Sequence, residues 1–186
     1  MPIRLAAIVA LVILTIPALQ SSAAAPDRPP FAGLSGDFEA FDPPREMPRI
    51  VFVDGDERPI GIDEFAGKIV VLNLWATWCA PCVREMPALD RLQAARGGDE
   101  FAVVAVSFDR KGVPVVEQFF ERRQIDYLAI YIDKFIKTFR AFKLKSLPTT
   151  YILGRDGRAL GALAGPAEWD SPEALALIDH YLAAGS

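Results

Sequence analysis

The run Ile69–Trp75, IVVLNLW, limits the possible folds more than any other stretch of the chain. Its apolar residues do not alternate with polar ones. As a strand it must therefore be covered on both faces, which calls for a sheet between two layers. A helical pattern follows over 81–96, with Val83, Met86, Leu89 and Leu92 near one stripe and Gly97-Gly98 as its stop. Phe101–Phe108, FAVVAVSF, reads as a second buried strand, and Pro114–Arg123 as a helix with proline at a permitted early position. Tyr127–Ile132 is a third strand candidate and Lys134–Phe142 a further helix. Thr149–Leu153 and Arg158–Ala164 flank the turn GRDGR and form an antiparallel hairpin. Ser171 caps a closing helix that runs to about Ala183. Upstream, IVFVDGDERPIGI brackets Asp54-Gly55 and predicts an N-terminal hairpin. The pattern describes an α/β fold with a central mixed β-sheet flanked by helices.

The first 49 residues stand apart from this pattern. Arg4, an apolar run from Leu5 to Leu19 and the small residues SSAAA have the organisation of a secretory signal over residues 1–25. The run is shorter than the roughly 20 residues of a spanning helix and contains Pro17. Cleavage is expected after Ala23 or Ala24, and an uncleaved membrane anchor is the alternative. Either way the folded part is expected outside the cytoplasm, in the periplasm or an equivalent compartment. Residues 26–49 hold six prolines in the 23 positions from Pro26 to Pro48, which predicts an extended linker or surface-hugging tail, with the domain proper at 50–186. The net charge of −4 and the lack of a Lys/Arg cluster argue against a nucleic-acid partner.

Both cysteines lie in NLWATWCAPCVREMP. In an oxidising compartment disulfides usually serve as staples. A bond across Cys79 and Cys82 closes so short a loop that it restricts the unfolded chain little. Redox chemistry fits the position better. Cys79 falls near the N-cap of the helix, where unpaired N–H groups and the helix dipole favour thiolate over thiol. Cys82 sits one turn further in and on the same face, so Cys79 is the expected attacking thiol and Cys82 the resolving one. Pro81 pre-sets the helical φ and lacks an N–H that would have been unpaired anyway. A metal site is the competing reading of a Cys-x-x-Cys pair. Structural zinc needs four ligands, and His180 is the one histidine available. A Cu(I) site built from Cys79 and Cys82, with or without Met86, is chemically conceivable. Neither a resident metal nor a cofactor is expected beyond the redox-active Cys79–Cys82 pair.

VVLNLWATWCAPCVREMPAL, followed some sixty residues later by LKSLPTTYIL, resembles the exported thiol-disulfide oxidoreductases of thioredoxin fold typified by TlpA and ResA. The resemblance covers about Ile50 to Ala183, and GPAEWDSPEAL leans towards the TlpA branch. It implies a thioredoxin fold with an extra helix and strand inserted at about 111–132. It implies that Pro148 is the cis-proline facing the disulfide and that Leu147 offers backbone groups to a substrate strand. Glu85 matches an acidic residue that tunes the thiols. The residues alone equally allow a solvated first-turn glutamate there. Trp78 resembles the tryptophan that shields the attacking cysteine, whereas Trp75 reads as core. Cytoplasmic thioredoxins carry a buried aspartate where this chain has Asn73, which cannot titrate.

The direction of electron flow follows from two residues. Pro81 supplies no charge at a position where oxidants of this superfamily carry histidine, and Glu85 opposes thiolate formation. Both favour a reductant of protein disulfides. The resemblance implies a membrane thiol transporter of the DsbD or CcdA kind as electron donor. It implies cysteines of apocytochrome c, or of the copper-site proteins of cytochrome oxidase, as clients. A Cu(I) chaperone or a redox-inactive binding module of the same fold is the alternative.

Overall fold

The computed structural model describes residues 28–185, so the expected signal segment lies outside the described residues. Eight strands form one sheet in the order β1-β8-β7-β4-β5-β6-β2-β3. In chain order these are β1 (Glu39–Arg45), β2 (Val51–Val53), β3 (Pro59–Gly61), β4 (Ile69–Trp75), β5 (Phe101–Ser107), β6 (Tyr131–Ile132), β7 (Thr149–Leu153) and β8 (Ala159–Ala164). The helices are α1 (Ala80–Arg96), α2 (Val113–Arg123), α3 (Lys137–Ala141) and α4 (Pro172–Ala184). β4 pairs parallel with β5 and antiparallel with β7, so the sheet is mixed and β4 lies inside it.

Every residue of β4 is buried, and its two faces enter different cores. Ile69, Val71 and Trp75 pack with α1, α2 and α4. Val70, Leu72 and Leu74 pack on the other side with Phe41, Phe52, Phe108 and Leu144. Successive side chains of a strand point to opposite faces. Asn73 therefore shares the α1 face with Ile69, Val71 and Trp75. The inserted helix α2 is part of this same core, because Phe120 stacks on Trp75 with ring centroids 6.1 Å apart.

Three expectations change. Residues 26–49 are not a linker throughout, because β1 pairs with β8 at the sheet edge and Phe31, Phe38 and Phe41 are buried. Pro43 and Pro44 fit there because an edge strand needs ladder bonds on one side only, and the register slips between Ala40 and Arg45. The domain thus begins before Ile50. The strand expected over Tyr127–Ile132 shrinks to Tyr131–Ile132, because the buried carboxylate of Asp90 takes the N–H groups of Asp126, Tyr127 and Leu128 at 2.8–3.3 Å. Those amides are satisfied by a side chain and need no ladder. The helix expected from Lys134 starts only at Lys137, since Ile136 adopts left-handed backbone with φ 50°. The N-terminal hairpin and the insertion are present: β2 pairs with β3, and β6 bridges β5 to β2.

Candidate active site

The site lies where β4 hands over to α1, at the carboxyl ends of the parallel strands β4 and β5. Cys79 is the N-cap residue, with extended backbone at φ −89° and ψ 100°. Its sulfur accepts the Cys82 N–H at 3.3 Å, so one of the helix's unpaired donors is spent on the thiol that needs negative charge. Cys79 and Cys82 are joined in a disulfide. Cys79 keeps 7% exposure and Cys82 none, which gives an incoming sulfur access to only one of the two. Pro81 occupies the first turn of α1 and is half-buried. Trp78, beside Cys79, is 69% exposed and presents its indole at the surface of the site.

The loop that carries Cys79 is pinned from β5. Asp109, buried just beyond that strand, accepts the Thr77 N–H at 2.8 Å and the Thr77 hydroxyl at 2.7 Å. It also takes the Ser107 hydroxyl at 2.7 Å. Sequence reading did not single out Asp109, because nothing local distinguishes it from a loop aspartate. Asp109→Asn exchanges an acceptor for a donor among three donors and is expected to destabilise the protein by about 2 kcal/mol in urea unfolding. An unchanged midpoint would mean that Thr77 is held by other contacts.

The Leu147–Pro148 peptide is cis, and Pro148 is buried. Leu74 lies opposite Thr149 in the β4–β7 register, so the next step along the strands brings Pro148 level with Trp75, at the same end of the sheet as Cys79. The Pro148 carbonyl accepts the Gly165 N–H at 2.9 Å. Among the described residues, the N–H and C=O of half-buried Leu147 take no hydrogen bond.

Glu85 is not a solvated first-turn residue. It is 2% exposed, one turn beyond Cys82 and on the same face of α1. Its Oε1 accepts from Asn73 Nδ2 at 2.8 Å. Its Oε2 accepts from the Ala167 N–H at 3.0 Å and from Trp169 Nε1 at 3.2 Å. The other Asn73 N–H goes to Thr150 Oγ1 at 2.8 Å. Burial pushes the Glu85 carboxyl up to about 7, against the opposing pull of the Ala167, Asn73 and Trp169 donors. Both protonation states are therefore populated at neutral pH. Asn73 does not titrate; it holds the residue that does. Trp169 and Ala167 lie in the stretch GPAEWDSPEAL, whose sequence announces a family branch but not the carboxylate that this loop meets.

The AhpC/TSA family profile matches residues 43–159. The chain is 27% identical to a thiol-disulfide oxidoreductase ResA of Bacillus cereus over 135 residues, covering 73% of this chain and 77% of that one. It is 42% identical to the thioredoxin-like protein YneN of Bacillus subtilis over 99 residues, 52% of this chain and 56% of that one. A thiol:disulfide interchange protein from Chlorobium tepidum TLS superposes with a TM-score of 0.61 at 23% identity, over 75% of this chain and 97% of the other. At that identity the superposition speaks for the fold.

Proposed function

We propose that the chain, which belongs to the AhpC/TSA family and is a thiol-disulfide oxidoreductase of thioredoxin fold, works as a reductant of protein disulfides outside the cytoplasm. The observation that carries the direction is the buried Glu85 one turn beyond Cys82. A carboxylate there disfavours thiolates nearby, and a pair whose reduced form is less stabilised is a stronger reductant.

The steps follow from position and exposure. In the reduced protein the Cys79 thiolate attacks one sulfur of a client disulfide. That S–S bond breaks, the client's other sulfur leaves as a thiolate, and a mixed disulfide forms. Cys82 then gives its proton to Glu85 and attacks Cys79 Sγ. The mixed disulfide breaks, Cys79–Cys82 closes, and the client departs with two more electrons. Leu147, with its free N–H and C=O, pairs with the backbone of the client segment beside Pro148, and Trp78 and Pro81 form the surface on which it rests. A membrane thiol transporter of the DsbD or CcdA kind returns the electrons. The clients are cysteines of apocytochrome c or of copper-site proteins of cytochrome oxidase. The N-terminal signal exports the domain or tethers it. No cofactor beyond the disulfide takes part.

A Cu(I) site on Cys79 and Cys82 is the competing reading, with Met86 buried in the same core as the two sulfurs. The reduction potential of the Cys79–Cys82 pair tests the direction. It is expected at or below about −220 mV; a value near the roughly −120 mV of strong oxidants would reverse the assignment.

A further inference from the structure

We propose that Trp169 is a positioning residue for Glu85: together with the Ala167 N–H it fills the acceptor sites of Oε2 and so confines the exchangeable proton to Oε1. This rests on the reading of Glu85 given above. The two carboxylate oxygens are not equivalent. Oε2 receives two N–H donors, whereas Oε1 receives one, from Asn73. A proton on Oε2 would displace or face a donor, while Oε1 has a lone pair left to bind it. The proton taken from Cys82 is thus delivered to a single atom, in a carboxyl group whose orientation is set from two sides.

The indole is itself held in place. Trp169 is fully buried, and the Phe31 ring lies 5.2 Å from it, centroid to centroid. Leu34 N–H donates to the Pro166 carbonyl at 2.8 Å. Gly33 permits the close approach, since a Cβ there would meet the Pro166 oxygen at 2.9 Å. The segment before β1 therefore seats the loop that seats Glu85. Among the described residues no charged side chain competes for the carboxylate. Glu168 on the same loop is exposed, and Asp170 pairs with Arg91 at 2.6 Å. Arg84, the neighbour of Glu85 on α1, is exposed. β4 and β7 present the neutral Asn73 and Thr150, leaving Cys79 and Cys82 as the titrating neighbours once reduced.

Trp169→Phe keeps an aromatic ring against Phe31 and deletes the N–H donor, together with part of a fully buried ring. In the reduced protein the Glu85 side-chain carboxyl is followed by carbon NMR, and Cys79 and Cys82 by the pH profile of alkylation. Loss of a donor to the charged form is expected to raise the Glu85 midpoint by about one pH unit. The alkylation profile should move with it, and should not move when Trp169→Phe is added to Glu85→Gln. An unchanged Glu85 midpoint overturns the proposal. So does an alkylation shift of equal size in the Glu85→Gln background, since Trp169 would then act by another route. A Glu85 midpoint that moves while the thiols stay still supports the positioning role and removes Glu85 from thiol tuning, so the two readings fail separately. If Trp169→Phe does not fold, site-specific incorporation of the benzothiophene isostere deletes the same N–H at nearly constant shape.

Discussion

Cys79→Ser is expected to reduce insulin-disulfide turnover to the uncatalysed background, while Cys82→Ser is expected to trap the client. The two sulfurs belong to one motif, but the structure gives them unequal environments. Cys79 sits at the N-cap with 7% exposure and receives the Cys82 N–H. Cys82 lies inside the first turn with none. A serine hydroxyl at position 79 is a weak nucleophile at neutral pH. Removing Cys82 leaves the first attack intact but deletes the protein's own thiol for resolving the mixed disulfide. That adduct should accumulate and migrate at the summed mass on a non-reducing gel. Retained turnover in Cys79→Ser would transfer the attack to Cys82 and contradict the exposure argument.

Glu85→Gln is expected to flatten the pH dependence of stability and to lower the midpoints of both thiols. The folded protein holds the Glu85 carboxyl at about 7 against 4.5 for an unperturbed glutamate, chiefly because burial penalises the anion. The fold therefore favours the protonated form. The contribution from Glu85 is complete below about pH 4.5 and is lost as pH rises through about 7. A shift of about 2.5 units corresponds to about 3 kcal/mol across that window. In denaturant unfolding of the oxidised protein, the wild type should lose that amount from pH 4 to pH 9 through this group, and Glu85→Gln should not. Glutamine conserves the volume. Its oxygen can accept from Ala167 and Trp169, and its amide can face Asn73 Oδ1, now buried without a partner, if the Asn73 amide turns over. With the negative charge gone, both cysteines should ionise at lower pH. An unchanged alkylation profile would reduce Glu85 to a structural residue, whatever its effect on stability.

The parts of this protein that were legible in the sequence are those governed by local periodicity. Ile69–Trp75 matches β4 residue for residue, because a short apolar run with β-branched residues at its start favours a strand covered on both faces. Cys79 reads as the helix cap from the Pro81 that follows it. The hairpin β7–β8 and the Ser171 cap of α4 follow from turn and cap residues. Legibility fails where a distant group satisfies the backbone or a side chain. Proline density over 26–48 describes a chain unable to join the middle of a sheet, yet an edge was open beside β8. The Tyr127–Ile132 pattern favours a strand, but Asp90, 36 to 38 residues away, takes the amides first.

The same boundary runs through the site. The spacing Cys79–Cys82, the strand before it and the helix after it follow from the sequence alone, because strand, cap and first helical turn depend on neighbours along the chain. The state of Glu85 does not. Its identity and its helical turn allow a solvated carboxylate as readily as a buried one. Only the tertiary structure decides, by laying the α1 face of β4 under it and by bringing Asn73, 12 residues away, and Trp169, 84 away, onto its two oxygens. A carboxylate's affinity for its proton is set by the solvent it loses and the donors it gains, and packing of the whole chain determines both.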